Sequence, residues 1–153
     1  MSEHRARVEW DLGDGDFLAG RYDRGHRLAF EGGLTIDGSP SPAVVPAPFS
    51  HAEALDPEAA FTAALSACHM LWFLDLARQA GFVVGAYADE AIGTLGRIAP
   101  GRHAMTRVVL RPKVQWRGQP TPSLEEISQL HHRAHDLCFI ANSVTTEVVV
   151  ESR

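Results

Sequence analysis

The sequence predicts an α+β protein in which two helices pack on mostly antiparallel sheet. Three observations carry that expectation. Asp56 to Ala80 reads as one long helix, apolar nearly all round. A second helix, with a single apolar stripe, follows Ser123. The segments before, between and after them alternate in the short period of strands. At 153 residues the chain is expected to form one domain, residues 1–153, long enough to bury a core.

In chain order, Val8 and Trp10 share a face of Arg5 to Asp11, a first strand. Gly13-Asp14-Gly15-Asp16 is a turn; its acidic spacing fails a calcium loop and no glutamate closes it. Phe17 to Tyr22 and Arg27 to Phe30 are short strand candidates, and Gly32-Gly33 breaks the pattern. From Asp37 to Leu55, Pro40, Pro42, Pro46 and Pro48 deny regular structure. Loops this long are usually functional or mobile, and this one reads as an arm leading into the central helix.

The central helix has its own start and stop. The Asp56 carboxylate can cap the first-turn N–H groups, Pro57 suits the first helical position and Gly81 suits the end. Phe61, Leu65, Cys68, Trp72 and Leu76 form one stripe, which Leu71, Phe73 and Leu74 widen. Only Ser66, His69 and Asp75 interrupt the apolar surface from Ala63 to Ala77. Such a helix belongs in the interior of a fold.

Beyond it, Phe82 to Ile98 and Met105 to Trp116 read as two extended segments with a hairpin at Pro100-Gly101. Pro112 marks an edge or a bulge in the second. Thr121 or Ser123 caps the second helix, with Glu125 and Glu126 near its positive end. Ile127, Leu130, Ala134, Cys138 and Ala141 form its inner stripe, and Val144 to Val150 is a closing strand.

The formal net charge of −5 argues against a general nucleic-acid binder. MSEHRARVEW carries charges and no apolar run, so no secretory signal is expected. The longest apolar run, Met70 to Leu74, is far too short to span a bilayer. The expected location is therefore the cytoplasm, where a cysteine pair is more often catalytic, metal-binding or buried than a structural disulfide. No GxGxxG, P-loop or GxSxG supports nucleotide binding or serine hydrolysis.

Cys68 and Cys138 both face inward on the two long helices, so their sulfurs approach each other if the stripes pack together. The residues leave two readings open: a functional dithiol, or two buried structural cysteines. His131, His135 and Cys138, at i, i+4 and i+7, can present ligands to zinc, so Cys68, His69, His135 and Cys138 form an alternative zinc set. The bland reading is histidines flanking a core stripe. Arg21, Arg24 and Arg27 surround His26, either as a solvated face or as the source of one arginine that stabilises a thiolate. A further alternative is non-enzymatic: a dimer that holds a lipid or small molecule in the apolar cleft.

Asp56-Pro57-Glu58 followed by an alanine-rich helix and Ser66-Ala67-Cys68 resembles the motif before the reactive cysteine of the OsmC/Ohr family of hydroperoxide reductases. Leu130-His131-His132, Ala134-His135 and Cys138-Phe139-Ile140-Ala141-Asn142-Ser143-Val144 resemble the second-cysteine helix of an OsmC-like branch. The resemblance runs from about Arg7 to Val150. It implies an α+β fold, an intertwined homodimer, and thiol-dependent reduction of organic hydroperoxides with no metal or organic cofactor. Cys68 then matches the peroxidatic cysteine, Cys138 the resolving one and Glu58 the acidic member of the site. The site arginine is Arg24, with Arg21 as the alternative. An external dithiol reductant would regenerate the Cys68–Cys138 disulfide; nucleic acid and membrane are not expected partners. His69 stands where an aromatic commonly follows the first cysteine, and Phe139 where a proline commonly follows the second.

Glu58 raises a geometric problem. In a continuous helix it lies roughly 15 Å along the axis from Cys68 and roughly 80° round it. Either the helix breaks near Phe61 to Ala64, or the site is shared between two chains.

Overall fold

The computed structural model describes Met1–Ser152. The chain folds as two compact units, Met1–Ala60 and the residues from Phe61 onward.

In the first unit β1 (Ala6–Glu9), β2 (His26–Phe30) and β3 (Thr35–Gly38) form an antiparallel sheet in that order. Val8 pairs with Leu28, and Leu28 with Ile36. Gly32 and Gly33, both at φ +87°, do not end the pattern but turn β2 into β3, a conformation that side chains resist. Phe17 to Tyr22 is not a strand. Asp16 accepts the Ala19 N–H on its carboxylate and pairs with Arg21, so local bonds replace a ladder. The proline-rich arm is irregular, as its prolines require, yet it is tied down. Ser39 is fully buried, its hydroxyl oxygen accepts the His51 N–H at 2.8 Å, and Leu55 N–H returns to Asp37 O at 3.0 Å.

Helix α1 (Pro57–Gln79) starts on Asp56, whose carboxylate accepts the Ala59 N–H at 2.8 Å. It ends at Gly81, φ +83°, where Phe82 N–H reaches Ala77 O at 3.0 Å. The helix is unbroken, which overturns the expectation of a fold-back near Phe61 to Ala64. Its buried line is Leu65, His69, Phe73, Leu76 and Ala77. That line is turned by about one residue from the expected stripe: Cys68 and Trp72 are only partly covered, and His69 lies deeper. The opposite face is exposed in this chain at Ala63, Ala64, Ala67 and Leu71. By length and composition α1 could also cross a membrane, which the short run Met70 to Leu74 understates.

The two extended segments after α1 each divide. β4 (Val83–Asp89) pairs with β7 (Pro112–Arg117), and β5 (Ile92–Ala99) with β6 (Arg102–Leu110), so one long hairpin feeds two sheets. Pro112 opens β7, where its missing N–H costs no ladder bond inside the strand. The division is held by Asp89: its Oδ1 accepts the Arg111 N–H at 2.6 Å and its Oδ2 accepts the Ser66 hydroxyl of α1. α2 (Leu124–Leu137) begins on a capping box between Ser123 and Glu126. It stops one residue before Cys138, the extended C-cap residue, and a 3₁₀ turn follows at Ala141–Ser143. β8 (Glu147–Val150) closes the unit parallel to β6. The two helices with antiparallel-rich sheets are the α+β class expected.

Two core clusters position the site. Phe73, Leu76 and Ala77 of α1 pack with Leu130 and Ala134 of α2, under Tyr87, Val114 and Trp116. Leu65 packs with Val108 and Leu110 of β6, beside Val148 and Val150 of β8. Cys68 and His69 fall between Leu65 and Phe73, at the joint of the two clusters.

Candidate dithiol site

Both cysteines are free thiols. Cys68 is mid-helix and partly exposed; Cys138 is 1% exposed. Cys138 is not mid-helix as expected, because α2 ends first, and this turns its side chain back toward α1. The two thiols are near enough for Cys68 to act on the Cys138 thiol. Burial, and then the neighbouring Cys68 thiol, push the Cys138 thiol up to about 11, against the pull of the Ala141 N–H that donates to its Sγ at 3.4 Å. Cys138 is thus held protonated, beside the more exposed Cys68.

One residue along α1, His69 turns inward. Its Nε2 is 3.0 Å from His131 Nδ1, and the two rings are within 9° of coplanar, edge to edge across that bond. They are 1% and 4% exposed. Phe73 stacks on His131 at 4.2 Å. Burial pushes both imidazoles down to about 4; for His69 the neighbours His131 and His135 add to this, and Asp89 opposes it. His69 therefore does not attend the Cys68 thiol.

The zinc set does not assemble. His69 is committed to His131, and among the described residues no three His, Cys, Asp or Glu are gathered to hold a metal ion.

The remaining candidates lie elsewhere along the chain. Glu58 sits in the first turn of the same unbroken helix as Cys68, so roughly 15 Å of axis separates them. Arg21 is paired with Asp16 at 3.0 Å and exposed. Arg24 lies over the Tyr22 ring at 4.0 Å and donates to Tyr22 O and Gly20 O. It forms no ion pair among the described residues. Sequence reasoning did not find Asp89 or the His69–His131 bond. The signal for the first was an acidic residue inside an extended run. For the second it was a polar interruption on the helix line that turned out buried.

The fold is thus of the α+β class and carries two reduced cysteines, Cys68 on α1 and Cys138 just beyond α2. The chain belongs to the OsmC-like protein family, whose profile matches residues 50–153. An OsmC-like protein of unknown function from Vibrio cholerae is 48% identical, with both chains covered in full and a TM-score of 0.96. An organic hydroperoxide resistance protein from Elizabethkingia anophelis has a TM-score of 0.72 at 19% identity, covering 99% of this chain and 94% of that one. The organic hydroperoxide resistance protein OhrB of Bacillus subtilis has a TM-score of 0.67 at 15% identity, covering 99% and 98%. At those identities the last two share the fold. No curated protein matches the chain.

Proposed function

We propose that the chain is a thiol-dependent peroxidase that reduces organic hydroperoxides to alcohols, working as one domain and as a homodimer. The observation that carries the reading is the thiol pair itself: a partly exposed Cys68 beside a buried, protonated Cys138. The family, and the hydroperoxide resistance proteins that share the fold, point the same way.

In the reaction the Cys68 thiolate attacks the distal oxygen of ROOH. The O–O bond breaks, the alkoxide takes a proton to leave as alcohol, and Cys68 becomes a sulfenic acid. The Cys138 sulfur then attacks the Cys68 sulfur. The S–O bond breaks, hydroxide leaves with the Cys138 proton as water, and a disulfide forms. A dithiol reductant restores both thiols by exchange, becoming a disulfide itself. The apolar residues of α1 favour alkyl and aryl hydroperoxides over hydrogen peroxide.

Arg24 is the cation for the Cys68 thiolate, since Arg21 is already neutralised by Asp16. The unbroken α1 leaves the other expectation for Glu58, a site completed by the second chain. The exposed apolar strip Ala63, Ala64, Ala67 and Leu71 supports a helix-to-helix contact between copies.

Thiol titration before and after one equivalent of cumene hydroperoxide tests the reaction: both thiols should disappear together. Unchanged thiols would refute it and favour the binding-protein alternative. Equal or better turnover of hydrogen peroxide would refute the apolar preference. Mixing Cys68→Ser chains with Glu58→Ala chains tests the shared site. Activity recovered in the mixture supports it, and a fully active monomer overturns it.

A further inference from the structure

Two polar pairs hold α1 to α2, and the dithiol reading uses only one. Consecutive residues of α1, Cys68 and His69, meet Cys138 and His131, two turns apart on and just beyond α2, and the histidines are hydrogen-bonded. The imidazole pair is a costly thing to bury. His69 Nδ1 and His131 Nε2 have no partner among the described residues, and neither does the nearby Tyr87 hydroxyl. Whichever ring donates in the central bond, one outer nitrogen is left a bare acceptor and the other an unpaired donor. The bare acceptor is a place for a proton to arrive. On one side His131 lines a cavity of about 260 Å³ together with Ser128, His132, His135, Val148 and Val150.

We propose that His69 and His131 are positioning residues that form an acid-sensitive latch, holding the end of α2 so that Cys138 stays on Cys68 while both rings are neutral and releasing it when they take up protons. The proposal rests on the dithiol reading, whose regulation it supplies. Charging the pair would put a cation among Phe73, Leu130 and Ala134, with an unpaired N–H at its outer edge. The titratable groups facing it are His135 of α2, which opposes a second positive charge, and Asp89 of β4, which favours one but is engaged by Ser66 and Arg111 N–H. Both rings are depressed when packed, so an opened form binds protons first. The closed form loses its advantage as pH falls from the free imidazole value of about 6.5 toward 4. At pH 5 the linkage favours opening by about 30-fold for each histidine that is freed.

Reduced protein is labelled with 4,4′-dithiodipyridine at pH 7.5 and pH 5. Modification of Cys138 is located by peptide mass spectrometry and normalised to glutathione. Cys138 labelling is expected to rise by at least tenfold at pH 5. His69→Leu/His131→Leu should abolish the rise, and His132→Gln should keep it, because His132 is exposed. Flat labelling of the unmodified protein, or an unchanged rise in the double variant, overturns the latch. If the double variant does not fold, hydrogen exchange of the unmodified protein decides. Acid-induced loss of protection confined to the last turns of α2, with β6 still protected, supports the latch; uniform loss, or none, overturns it. None of these readouts uses peroxide, so the latch and the peroxidase reading can fail separately.

Discussion

Gly93→Ala should loosen the seat of α1 and, through it, the thiol pair. Gly93 lies in β5 where the helix crosses the sheet. A Cβ there would come within 2.5 Å of Met105 Cε, and closer still to Thr62 Oγ1 of α1. Both approaches are about 1 Å or more short of ordinary contact. The Met105 methyl ends a flexible chain and can swing aside. Thr62 is β-branched and stiff, so the helix itself must lift or turn. Overpacking of this kind costs about 1–3 kcal/mol, and the lower chain entropy of alanine in the unfolded state returns about 0.4–1. A net loss of about 1–2 kcal/mol lowers Tm by roughly 2–8 °C in a chain of this size. Cys68 is six residues further along the same helix, roughly 9 Å. A lift of α1 therefore also separates the sulfurs, and disulfide formation after one equivalent of cumene hydroperoxide should slow. Urea unfolding and stopped-flow thiol loss measure the two effects. Thr62→Ala removes the obstacle, so in the double variant the loss should shrink by at least about 0.5 kcal/mol. A Gly93→Ala protein as stable as the parent, or strict additivity with Thr62→Ala, refutes the argument.

Phe73→Ala should cost about 3–5 kcal/mol by urea unfolding, since Phe73 is fully buried against Tyr87, Trp116 and His131. Ser123→Ala removes the capping box of α2 and should cost about 1 kcal/mol; a loss below about 0.3 would show that the cap contributes little. Cys138→Ser should leave one oxidation event and then let Cys68 advance to sulfinic acid, read by intact mass. If Cys138 over-oxidises when Cys68 is replaced, and Cys68 does not when Cys138 is, the roles are reversed. Arg24→Ala should slow the peroxide step more than Arg21→Ala does, and the opposite order would assign the thiolate's cation to Arg21.

What the sequence determined by itself was local. Asp56, Pro57 and Gly81 delimit α1 because capping and a left-handed stop are decided within a few residues. Ser123 and Glu126 delimit the start of α2 in the same way. The two cysteines could be singled out because both fall on the apolar stripes of the two long helical patterns, and their surrounding motifs carried the family. Tertiary structure decided the rest, wherever a choice depended on a partner distant in the chain. The extended runs divide into β4–β7 and β5–β6 because Asp89 binds Ser66 and the Arg111 N–H, and no periodicity within either run reports that. The strand Thr35–Gly38 exists because β2 offers it a ladder, not because of its own residues. α1 turns His69, not Cys68, into its deepest line because His131, 62 residues away, satisfies one ring nitrogen there. With His69 on that line, Cys68 is left partly exposed, between the two core clusters that seat the helix.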